Sequence, residues 1–198
     1  MPTHVANVST VNPSTDGQRA LSCLVAAFMA DPFVRWIYPR ADLFIAHGAE
    51  IFDSFGGGAF NHDTAFEIDD FAGVALWVPP GGSAADDERV ESLLEQTVDE
   101  DRLAEVAEAL EGFEAFHPKE PCWYLPLIGV DPACQGRGLG GQLMKHVLAK
   151  VDAEHLPAYL ESSNPANISL YERHGFEVIG LIETKTSPKV HPMLRAAR

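Results

Sequence analysis

The segment Leu125–Leu148, LPLIGVDPACQGRGLGGQLMKHVL, constrains the fold more than any other part of the chain. The apolar run 123–130 reads as a strand. Residues 138–151 carry Leu139, Leu143, Met144, Val147, Leu148 and Val151 at helical spacing, so they read as a helix with one apolar face. Between the two lies Gln135-Gly136-Arg137-Gly138-Leu139-Gly140-Gly141. Glycines admit positive φ and close approach of a ligand to the backbone. Several N–H groups can then converge on one point, and the helix N-terminus adds about half a positive charge. This strand–turn–helix predicts a main-chain cradle for a pyrophosphate that needs no basic side chain.

Two other phosphate-binding patterns compete. Gly136-x-Gly138-x-x-Gly141 satisfies the dinucleotide fingerprint, and Glu161 follows about 20 residues on, where a ribose-binding acid is expected. A nicotinamide- or flavin-binding oxidoreductase is therefore the alternative reading. Against it, Asp131–Gln135 separate the strand from the first glycine, and too little chain follows Glu161 to complete a doubly wound sheet. A Walker loop is poorer still, because no GK[ST] follows the glycines.

The 198 residues suit a single domain, 1–198, with a coenzyme-binding core at about 123–180 and an acceptor-side variable region at about 16–122. The first ~15 residues read as a lead-in or edge strand. Asp16 is expected to cap a helix over 17–30, which Asp31-Pro32 breaks. FVRWIYP reads as an irregular aromatic stretch, 42–55 as a second helix, and the glycines at 56–58 as its end. Strands are expected at 64–69 and 72–78, then a loop at 79–83 and one or two acidic amphipathic helices over 86–111. Further on come a strand at 158–162, a short helix at 165–173, and strands at 176–183 and 190–195. Two parallel strands joined through a helix make this an α/β (α+β) layer fold with a mixed sheet.

Net charge is −15, which argues against nucleic-acid or anionic-membrane partners. Thirteen acids and three bases crowd residues 86–120. They read as a solvated helix face or, more sharply, as a field that attracts cationic amines. No apolar run reaches the ~20 residues of a membrane helix, and no signal-peptide pattern opens the chain, so a cytoplasmic location is expected. Three scattered cysteines (Cys23, Cys122 and Cys134) predict neither a disulfide framework nor a metal site.

Val130-Asp131-Pro132-Ala133-Cys134-Gln135-Gly136-Arg137-Gly138-Leu139-Gly140 resembles the coenzyme-binding motif of the GCN5-related N-acetyltransferases (GNAT). The Q/R-x-x-G-x-G/A of that family falls on Gln135, Gly138 and Gly140. Asn164 to Phe176, NPANISLYERHGF, resembles its second motif, N-x-x-(A/N)-x-x-L-Y-x-x-x-G-F. The likeness extends to the puromycin N-acetyltransferase branch through HPKEPCWYLPLIGVDPACQGRGLG and YLESSNPANISLYERHGF, although the middle of the chain departs from that branch.

The resemblance implies the GNAT acyl-CoA N-acyltransferase fold, a mixed central sheet with splayed parallel strands flanked by helices. It implies acetyl-CoA as coenzyme and direct transfer of its acetyl group to a small-molecule primary amine. A catalytically silent coenzyme-binding protein remains the other reading within the family. Pantetheine would lie between the splayed strands, with main-chain N–H groups near Ile128, Gly129 and Val130 on the thioester oxygen. Tyr171 stands where the family places its general acid, and otherwise packs beside Phe176. Glu161 is a candidate base or a strand-end carboxylate, and His117 is a second candidate base. Asn167 and Asn164 are candidates for the pantetheine amides or for helix caps, and Arg137 for a phosphate. Phe28, Asp31, Trp36 and Tyr124, with Phe33 and Tyr38, are candidates for the acceptor pocket. Cys122 and Cys134 have no assigned role, since direct transfer needs no acyl-cysteine.

Overall fold

The computed structural model describes residues 7–198. A seven-stranded mixed sheet runs through it in the order β1-β2-β3-β4-β5-β7-β6. The strands are β1 (Val8–Thr10), β2 (Ala65–Ile68), β3 (Gly73–Val78), β4 (Trp123–Val130), β5 (Ala158–Ser162), β6 (Glu177–Val178) and β7 (His191–Arg195). The helices are α1 (Pro13–Phe28), α2 (Pro32–Ile37), α3 (Ala41–Gly56), α4 (Asp87–Thr97), α5 (Glu100–Phe116), α6 (Leu139–Ala153) and α7 (Ile168–Glu172). Part of the expected lead-in is the edge strand β1, antiparallel to β2, and residues 1–6 lie outside the described residues. Among the described residues no helix is long and apolar enough to cross a membrane.

Both faces of the sheet are covered. On one, Leu143, Met144, Val147 and Val151 of α6 pack with Trp77, Trp123, Leu125, Leu160 and Met193. On the other, Ala20, Leu21 and Leu24 of α1 and Phe44 and Phe52 of α3 pack with Val74, Leu76 and Leu127. All six residues of β3 are buried, as a strand covered on both sides should be.

Three sequence expectations are corrected. The cap of α1 is Asn12, not Asp16: its side-chain oxygen accepts the Ser14 N–H at 3.0 Å, and Pro13 fills the first turn, where a missing N–H costs nothing. Asp16 lies inside that first turn, where a negative charge suits the helix dipole. The stretch after Asp31 is not irregular but helix α2, because Asp31-Pro32 supplies both a cap and a first-turn proline. The glycines at 56–58 do end α3, as expected, with Gly56 its last residue and Gly57 its C-cap, and a separate 3₁₀ turn over Gly57–His62 follows. Gly58 is needed there for close approach, since a Cβ would lie 1.9 Å from the Ser83 carbonyl oxygen. The strand expected over 176–183 shrinks to Glu177–Val178 plus a single bridge, Ile182 to Val190. Ile179 still donates to the Pro192 carbonyl at 2.9 Å, but Pro192 has no N–H to return, and the ladder stops.

Two irregularities of β4 set up the site. Against β3, Leu127 pairs with Leu76 but Tyr124 pairs with Val78, so β4 carries one surplus residue, a β-bulge around Pro126. The bulge inverts the facing of the strand. Trp123 and Leu125 lie in the α6 core, Leu127 joins the opposite core, and Ile128 and Val130 return to the α6 side. Against β5, parallel pairing is confined to Trp123–Ala158 and Tyr124–Tyr159, after which the strands part. Pro126 lies two residues past the last pair and brings no N–H to either neighbour.

Candidate active site

The parting of β4 from β5 leaves one edge of residues 125–130 facing a gap, and the loop after Val130 closes one end of it. The Asp131 N–H donates to Ala72 O at 2.9 Å, its carboxylate accepts the Ala133 N–H at 2.8 Å, and Gln135 Nε2 donates to Val130 O at 3.2 Å. These bonds fix the turn to the end of β4. Gly136 (φ 76°) and Gly138 (φ 78°) both adopt the left-handed conformation, with open space where a side chain would stand. Gly138 is the N-cap of α6 and makes no side-chain capping bond, so the first-turn N–H groups of the helix point out of the turn uncapped. Arg137 is exposed, its guanidinium 3.4 Å from Ala133 O.

Glu161 lies two residues past the last parallel pair, on β5. Tyr124 donates its hydroxyl to Glu161 Oε2 at 2.9 Å, while Oε1 is buried with no hydrogen-bond partner. Burial pushes the Glu161 carboxyl up to about 7, and the neighbouring Tyr124 and Tyr159 hydroxyls offset only part of that rise. Burial and the nearby carboxylate hold the Tyr124 and Tyr159 hydroxyls well above their ordinary range. The His117 ring stands edge-on to both tyrosines, at 4.8 and 5.0 Å between centroids, and burial lowers its pKa. Burial pushes the Cys122 thiol up to about 11, so it is a poor nucleophile at neutral pH.

Tyr171 is buried on α7, 6.3 Å from the Phe176 ring, so the packing expected of a core tyrosine is present. Its hydroxyl has no hydrogen-bond partner among the described residues. Burial, with the Asp31 charge second, holds it protonated far above neutral pH. Asn164 caps the 3₁₀ turn Pro165–Asn167 by accepting the Ala166 N–H at 3.0 Å. Asn167 is exposed, and its side chain makes no capping bond.

An apolar cavity opens beside Glu161. Phe28, Phe33, Tyr38, Phe44, Phe52, Phe55 and Phe113 line it with aliphatic residues of α2 to α5, and Pro126, Leu127, Glu161 and Ser163 complete it. Of the expected acceptor residues, Phe28, Phe33 and Tyr38 belong to the lining. Tyr124 contributes by holding Glu161. Two are corrected. Asp31 caps α2, with Oδ1 accepting the Phe33 and Val34 N–H groups at 3.0 Å each and Oδ2 accepting the Ser163 hydroxyl at 2.7 Å. Trp36 stacks on Phe33, donates to Thr186 Oγ1 at 3.1 Å and stays out of the lining. Sequence reasoning missed Phe44, Phe52, Phe55, Phe113 and Ser163. Only the apolar faces of α3 and α5 signalled the four phenylalanines, and such a face reads alike whether it meets a core or a cavity, while Ser163, just past β5, carried no signal. Replacing Asp31 with Ala removes a buried cap and the tie to β5, and is expected to cost about 2 kcal/mol, measured by urea unfolding.

The model of the acetyltransferase (GNAT) family matches residues 50–176. An uncharacterized N-acetyltransferase of Schizosaccharomyces pombe is 29% identical over 174 residues, covering 81% of this chain and 70% of that protein. The mycothiol acetyltransferase of Mycobacteroides abscessus is 49% identical over 55 residues, 26% of this chain and 19% of its own length. Among solved structures, a Corynebacterium glutamicum protein described as histone acetyltransferase HPA2 and related acetyltransferase superimposes with a TM-score of 0.64. It is 25% identical and is covered over 97% of its length by 98% of this chain.

Proposed function

The chain belongs to the acetyltransferase (GNAT) family, and on that footing we propose that it transfers the acetyl group of acetyl-CoA to a primary amine of a small molecule by direct attack in a ternary complex. One observation carries the reading. A buried carboxylate oxygen of Glu161 stands unpartnered where two parallel strands part, at the polar end of an apolar cavity.

The residues present fit an acyl-CoA. Gln135–Gly141 offer uncapped N–H groups and two left-handed glycines with clear space above them, which suits a pyrophosphate. Arg137 and Asn167 have exposed side chains free to reach a phosphate and a pantetheine amide, whereas Asn164 is occupied as a cap. When bound, acetyl-CoA supplies a thioester carbonyl for the amine to attack and a thiolate to leave. The N–H groups of Ile128–Val130 that do not point at β3 hold the acyl oxygen. Glu161 takes the proton of the amine. With a pKa near 7 it is basic enough to accept the proton and ionised enough to be ready for it. Tyr171, protonated throughout the physiological range, offers its hydroxyl proton to the departing sulfur.

Acetyl-CoA at 100 times its Kd is expected to stabilise the protein by about 2.7 kcal/mol, seen as a raised melting temperature, with no rise for NADH. The opposite ranking would overturn the proposal, and binding of acetyl-CoA without amine-dependent thiol release would leave a silent coenzyme-binding protein. Gly138→Ala has room for the methyl group but forces a left-handed alanine, a strain of about 1–2 kcal/mol. Steady-state kinetics of this variant should show KM for acetyl-CoA raised roughly 10-fold with kcat little changed.

A further inference from the structure

The cavity beside Glu161 is charged at one point only. Among its described lining residues Glu161 is the sole carboxylate, and none is Lys, Arg or His. Its Oε1 is buried with no hydrogen bond made, the Tyr159 hydroxyl also stands close to the carboxylate, and Oε2 accepts the Tyr124 hydroxyl. Asp31 reaches the same end through Ser163, but both its oxygens are occupied. The many acids of α4 and α5 do not supply a second anion, because those helices meet the cavity with Val90, Leu94, Leu110 and Phe113. Glu105 of α5 is engaged by Thr184 and Thr186. Much of the lining is aromatic, with Phe33 and Phe113 stacked at 5.3 Å and Phe55 edge-on to Phe113 at 6.4 Å.

Resting on the acetyltransferase reading above, we infer that the acceptor is a monoamine with a flat apolar body, an arylalkylamine in chemical class, and carries no second charge. Its nitrogen sits at Glu161 and its ring among the phenylalanines. The N–C bond forms as the C–S bond breaks, the nitrogen proton passes to Glu161, and the coenzyme leaves as thiol. A diamine would bring its far ammonium to a wall without an anion. A free amino acid would set a carboxylate beside Glu161 with no cation to meet it. An unpaired desolvated charge is costly enough to lower kcat/KM by ~10²-fold or more, and cation–π contact with the rings offsets only part of that loss.

Thiol release with acetyl-CoA tests this on the intact protein. 2-Phenylethylamine should exceed both 1,5-diaminopentane and L-phenylalanine by ~10²-fold or more in kcat/KM. Phe113→Asp, which sets an anion in the far wall, should narrow the gap to the diamine by ~10-fold or more, with Leu110→Asp as the second variant if the first fails to fold. Equal or better use of the diamine or the amino acid by the unaltered protein overturns the inference and leaves the acetyltransferase reading standing. Thiol release with none of the three, despite bound acetyl-CoA, sinks both.

Discussion

Glu161→Gln is expected to lower kcat/KM by about 10²- to 10⁴-fold, the scale of a lost general base, and at the same time to raise the melting temperature above pH 7. The two effects share one cause. The Glu161 carboxyl keeps its proton up to about pH 7 in the folded protein but loses it near its ordinary value of 4.5 when unfolded. Its contribution to stability is therefore complete below pH 4.5 and disappears as pH rises through 7, where a desolvated charge must be carried. Glutamine keeps an oxygen for the Tyr124 hydroxyl and carries no charge. The native enzyme should gain activity with pH up to about 7, and the variant should lack that limb. A purely structural Glu161 would show the stability change alone, so a variant with full turnover would end the assignment.

Tyr171→Phe is expected to reduce kcat by ~10²-fold, as loss of a general acid does, with little change in KM for acetyl-CoA or in melting temperature. The hydroxyl has no partner to leave orphaned, and the ring keeps its contact with Phe176. A tyrosine present only for packing predicts no loss in this variant. The deficit should shrink with an acetyl thioester whose thiol is more acidic, because such a sulfur departs without help. A deficit that is the same for both thioesters would refute the acid role.

Periodicity made α6 legible, the glycines at 56–58 marked the end of α3, and the acidic apolar-striped stretch over 86–111 was legible as helix without its division into α4 and α5 at Val98-Asp99. The glycine turn was legible for the same reason that it works. Left-handed backbone and uncapped N–H groups demand a residue type that stands out in print, and Gly136 and Gly138 carry it. Glu161 was legible as a strand-end carboxylate and candidate base, but not as a buried one, because its raised pKa comes from burial that no neighbour in sequence reports. Asp31 misled for a related reason. Asp before Pro spells a helix cap, and the surrounding aromatic residues drew it into a pocket instead. The cavity itself was out of reach, since its wall is assembled from five helices and two strands whose apolar faces are spelled alike.

The surplus residue at Pro126 rolls β4 over partway along its length. Trp123 and Leu125 fill the interior beneath α6, and the roll brings Leu127 round to the cavity wall, so a single strand serves both the scaffold and the cleft.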